Sequence, residues 1–87
     1  MKVSVFDTYV ERKDGRVMHF DILVPEGEKD VDRIFGFGTE YLAQKEQEGQ
    51  PLTSSECRFC HIEEAGPDVV DSIGRFGYHI VEMENCD

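Results

Sequence analysis

Apolar and polar residues alternate along the first quarter of the chain, and the period then lengthens. Residues 2–11 are rich in Val, Phe, Thr and Tyr, which suits a pleated strand. Lys13-Asp14-Gly15 follows as a turn, with Gly15 able to take positive φ. From Arg16 to Val24, Met18, Phe20, Ile22 and Val24 alternate with Val17, His19, Asp21 and Leu23, a period of two that marks one face for a core. Pro25 lacks the amide to continue a ladder and ends this second strand. Two registers are open. A one-residue bulge at Gly15 pairs Arg12 with Arg16, and places Tyr9 opposite His19 and Asp7 opposite Asp21. Carboxylates so opposed call for a cation, a proton or a donor between them. A two-residue turn would instead set Asp21 beside Thr8.

Beyond a polar loop at Glu26-Gly27-Glu28-Lys29, Asp30 is a natural N-cap. Val31, Ile34, Phe35, Gly38, Tyr41, Leu42 and Lys45 then recur at helical spacing, with Gly49 and Pro51 as the stop. Gly36 and Gly38 inside this helix each cost about 1 kcal/mol relative to Ala, which close packing on a sheet would justify. Thr53-Ser54-Ser55-Glu56 has capping-box spacing and predicts a short turn before a third strand over residues 59–64. Pro67 opens a second helix with the stripe Val69, Val70, Ile73 and Phe76, capped by Gly77. Tyr78 to Glu84 is the last strand. The expected fold is α+β, ordered ββαβαβ: a mixed four-stranded sheet with both helices on one face, because strand–helix–strand crossovers are right-handed. Residues 1–87 are expected to form one domain, with Tyr9, His19 and Asp21 on the helix-free face.

Composition narrows the classes. A hydrophobic content of 39% with nine aromatics suffices for a small core despite 32% charged residues. The longest apolar runs are three residues, as in Ile22-Leu23-Val24, too short to cross a membrane. The opening residues read as a strand and not as a signal peptide, so a cytoplasmic setting with reduced thiols is expected, and three cysteines fit no disulfide framework. The net charge of −10 is uneven: residues 1–25 are neutral, whereas 62–87 carry seven acids against Arg75. Such a field repels phosphate, so nucleic acid and membrane surfaces are not expected partners. A protein partner or a homodimer through the exposed sheet face fits better.

The one concentration of soft ligands is Cys57-Arg58-Phe59-Cys60-His61. Cys-x-x-Cys-His is a c-type haem signature, but attachment belongs outside the cytoplasm. A thioredoxin-like dithiol needs a helix N-terminus after a strand, the reverse of the order here. Zinc would find ligands in Cys57, Cys60 and His61, completed by His19, His79, Cys86 or a carboxylate, provided the cysteines stand at the mouth of a turn. The plainer reading ranks first: Cys60 and Phe59 as ordinary buried residues, His61 a hydrogen-bonded surface histidine, and His19 and His79 half-buried strand residues. A Cys/His pair for nucleophilic catalysis is not something spacing can show, and no P-loop, Gly-x-Ser-x-Gly or His-Glu-x-x-His occurs.

Asp7-Thr8-Tyr9-Val10, Met18-His19-Phe20-Asp21 with Leu23-Val24-Pro25, Glu56-Cys57-Arg58-Phe59-Cys60-His61-Ile62-Glu63, and Gly77-Tyr78 with Glu82-Met83-Glu84-Asn85-Cys86 carry a resemblance. The chain resembles the small bacterial domain-of-unknown-function family DUF2024 over almost its whole length. That resemblance implies a compact α+β domain of bacterial origin and supplies no activity and no site residues. The expectation is therefore a non-enzymatic binding module, with metal or thiol chemistry at Cys57, Cys60 and His61 as the alternative.

Overall fold

Residues 1–87 are described by a computed structural model. The elements run β1 (Lys2–Glu11), β2 (Val17–Pro25), α1 (Val31–Gln44), β3 (Cys57–Glu64), α2 (Pro67–Phe76) and β4 (His79–Glu84). The four strands form one sheet in the order β3-β1-β2-β4. The α+β class and the ββαβαβ order are as expected. The sheet is not mixed, however, because all three neighbouring pairs are antiparallel. The hairpin occupies the centre, and the two later strands add to its opposite edges.

The helices also differ from expectation, for they lie on opposite faces of the sheet. Ile34, Tyr41 and Leu42 of α1 pack on Val10, Met18, Phe20, Ile22 and Val24. Ile73 and Val69 of α2 pack on Val3, Val5, Leu23 and Val81, which point the other way. The handedness rule governs crossovers between parallel strands. It applies to β2-α1-β3, whose strands run parallel on either side of β1, but β3 and β4 run in opposite directions, so α2 was free to take the second face. A ten-residue helix covers about 15 Å. It therefore shields only the part of its face around Val3 and Leu23 and leaves the other part bare.

Local signals otherwise hold closely. Asp30 accepts a hydrogen bond from Arg33 N–H at 3.2 Å as N-cap of α1. Pro67 begins α2, and Gly77 closes it at φ 88°. Helix α1 stops earlier than Gly49: Lys45 is its C-cap, and the chain turns away through Glu46 at φ 61°. A Cβ on Gly38 would collide with Leu52 and meet Ile22 Cδ1 at 3.0 Å, whereas one on Gly36 would meet nothing. Close packing thus explains only the second glycine. Strand β3 begins at Cys57, two residues before the expected start, after a turn in which Thr53 N–H donates to Glu56 Oε1 at 2.7 Å. No helix is long and apolar enough to cross a membrane.

Candidate metal centre

The hairpin register decides the site. Arg12 N–H donates to Arg16 O at 2.7 Å, Gly15 N–H donates to Arg12 O at 3.0 Å, and Gly15 stands at φ 91°. This is the bulged turn, and it sets Asp7 opposite Asp21 and Tyr9 opposite His19. All four side chains emerge on the face of α2, beyond the end that the helix covers. His19 precedes Asp21 by two residues on β2, so its side chain shares the face of the two carboxylates and its ring reaches both.

One ligand atom from each of Asp7, His19 and Asp21 lies within 4.8 Å of the other two. His19 Nε2 is 3.7 Å from Asp7 Oδ1 and 3.7 Å from Asp21 Oδ1, too far for a hydrogen bond to either. Both His19 Nε2 and Asp21 Oδ1 are shut away from solvent without a partner. Leaving such atoms unpaired costs about 1–3 kcal/mol each, so the arrangement asks for something in the middle. Tyr9 stacks on the His19 ring at a centroid distance of 4.2 Å and an interplanar angle of 11°, which holds the imidazole in place.

The electrostatics express the same demand. Burial, and then Asp7 alongside, push the carboxyl of Asp21 up to about 6. Asp7 moves the other way, held below the usual range by Asp21, and further by Cys60 and His19. Like charges this close in a partly desolvated site cannot both ionise cheaply. Below about pH 6 a proton on Asp21 relieves them; at neutral pH a divalent cation would do so.

Two bulges flank this cluster. Across β1–β3 the register passes from Val5↔His61 to Phe6↔Phe59, which leaves Cys60 as an extra residue. Across β2–β4 it passes from His19↔Glu84 to Phe20↔Glu82, which leaves Met83 extra. Bulges re-aim side chains, and here the first turns Cys60 toward Asp7. The two residues line one depression of about 480 Å³ together with Tyr9 and Arg58.

The cysteine motif is thereby divided. Cys57 is 3% exposed in the core beneath α1, and burial raises its thiol pKa. Cys60 is exposed on the other side of the sheet. The structure does not bring these two sulfurs together. Phe59, expected to be buried, is 55% exposed and meets Phe6 edge-on at 5.7 Å. His61 Nδ1 lies 3.2 Å from Cys60 Sγ, and its Nε2 lies 2.8 Å from Glu63 Oε1. His79 is elsewhere, bonded to Ser72 Oγ at 2.8 Å beside α2. Cys86 packs against the α1 core, its thiol donating to His19 O at 3.4 Å. Of the residues singled out by ligand chemistry, only His19 stands in the converging set. Its partners are the two carboxylates whose opposition one hairpin register required.

Fold and site together define a small α+β domain with an acid–histidine ligand cluster on the open part of an antiparallel sheet. The chain belongs to the family described as Domain of unknown function (DUF2024), whose model matches residues 1–83. It is also similar to the NMR structure of protein NE1680 from Nitrosomonas europaea, with 42% identity, complete coverage of both chains and a TM-score of 0.86. No curated protein matches it.

Proposed function

We propose that this protein is a non-enzymatic binding domain that holds a divalent cation between its two central strands through Asp7, His19 and Asp21. The observation that carries this reading is the pair of buried, unpartnered atoms, His19 Nε2 and Asp21 Oδ1, converging with Asp7 within 4.8 Å. Imidazole and carboxylate together suit zinc, manganese, iron and related ions. The need expressed is for a bound positive charge, which is a matter of affinity and calls for neither a nucleophile nor a leaving group. Ligands on hydrogen-bonded neighbouring strands are already spaced, so binding costs little reorganisation.

The test is calorimetric titration of chelator-stripped protein with zinc and with manganese, backed by metal analysis after dialysis. One ion per chain is expected, with affinity falling at least about tenfold in His19→Ala and in Asp21→Asn. Failure of both metals to bind stoichiometrically, or binding indifferent to both substitutions, would refute the proposal.

A further inference from the structure

Three donors leave a tetrahedral ion one ligand short, and the β3 bulge sets a thiol beside the gap. Arg58 pairs with Asp7 and Phe59 is anchored on Phe6 under the α1 face, so the extra residue Cys60 emerges over β1 on the face of the cluster. The same bulge sends His61 to that face, with Nδ1 3.2 Å from Cys60 Sγ, while Glu63 Oε1 lies 2.8 Å from Nε2. Cys60 Sγ stands outside the converging set, against His61. It is exposed and in contact with Asp7, so a side-chain rotation carries it onto an ion held there.

We propose that Cys60 is the fourth ligand of the Asp7–His19–Asp21 site, which makes the site a closed, thiolate-containing centre that selects zinc over hard cations such as magnesium and manganese. This rests on the cation-binding reading above and names its class of ion. Thiolate is a soft donor that favours zinc, whereas a purely oxygen and imidazole set accepts harder ions. Four protein ligands also leave no open position, the pattern of a structural and not a catalytic zinc.

The proton balance needs only solvent. As the metal–sulfur bond forms, the Cys60 S–H bond breaks and its proton leaves to bulk water, since Cys60 is exposed. Asp7 and Asp21 set a negative field around the Cys60 thiol. A dication among those carboxylates inverts that field. The Cys60–His61–Glu63 line is therefore a ligand and its polar support, and not a nucleophile and its base.

Cobalt(II) serves as the probe, since thiolate ligation gives it a charge-transfer band in the near ultraviolet. Stripped wild-type protein titrated with cobalt should show that band with tetrahedral visible bands, saturating at one equivalent. Cys60→Ser should lose the charge-transfer band and weaken zinc by about tenfold or more, while changing manganese affinity by less than about twofold. Cys57→Ala and Cys86→Ser, whose sulfurs lie on the other side of the sheet, should keep the band. Cobalt bound in an Asp21-dependent way without a charge-transfer band overturns the role of Cys60 and leaves the cation site standing. So does a band that survives Cys60→Ser, or a loss of manganese equal to that of zinc. Absence of any cobalt, zinc and manganese binding overturns both.

Discussion

Asp21→Asn is the substitution that separates the cost of the cluster from its use. Without a metal, the Asp21 carboxyl is raised from 3.8 to about 6 by burial and by Asp7. A carboxyl raised on folding favours the folded state below its unfolded pKa, and that advantage is lost as pH climbs through the folded value. Wild-type protein in chelator should thus lose stability between about pH 4 and pH 6 on account of this group. Two units at 1.36 kcal/mol each set a ceiling of about 3 kcal/mol. Asp7, shifted in the opposite sense and with a side chain 40% exposed, offsets part of it. A net of about 1–2 kcal/mol is expected. An amide at position 21 has no charge to desolvate and can donate to Asp7. In EDTA, urea unfolding should find the variant more stable by that amount at about pH 7 and little changed at about pH 4. Saturating zinc should reverse the order, since a hundredfold excess over Kd stabilises the wild type by about 2.7 kcal/mol. A variant less stable than wild type in chelator at neutral pH, or a difference that does not vary with pH, would refute the reasoning.

Other consequences concern the scaffold. Gly38→Ala should cost about 1–3 kcal/mol, because its Cβ would collide with Leu52 and press on Ile22. Gly36→Ala, with open space around it, should stabilise by up to about 1 kcal/mol; melting curves that move both variants the same way would contradict the packing. Tyr41→Phe removes the 2.5 Å hydrogen bond from Tyr41 Oη to Glu82 Oε2, at a cost of about 1–2 kcal/mol in urea unfolding. Lys45 and then Tyr41 hold the Glu82 carboxyl below 4.5, so that contribution is present at neutral pH and fades as pH falls; an unaltered pH profile in the variant would count against it. Arg12, 8% exposed, donates through Nη1 to Asn85 O at 2.7 Å. Arg12→Ala should lower the melting temperature by several degrees, about 4–8 °C for each kcal/mol lost, and an unchanged melt would show that the contact carries no weight.

Much of the fold is written locally. The alternation from Met18 to Val24, the Asp30 cap, Pro67 at the start of α2 and Gly77 at its end each act within a few residues, and each is found where the pattern places it. The paired acids of the site are visible too, once Gly15 is taken as the bulge. Tertiary structure decided what local pattern leaves open. The face that α2 takes depends on β3 and β4 running in opposite directions at the two sheet edges, a long-range outcome that no periodicity encodes. Its target was nonetheless present in Val3, Val5 and Leu23, apolar on the face opposite the main stripe. The cysteine motif shows the limit most clearly. Cys57 and Cys60 are three apart on one strand, where alternation sends them to opposite faces, and the bulge then carries Cys60 toward Asp7. Proximity along the chain suggested a shared site for the two sulfurs. The pleat and the pairing across strands instead grouped His19 with two carboxylates, because in a sheet the neighbours of a side chain belong mostly to other strands.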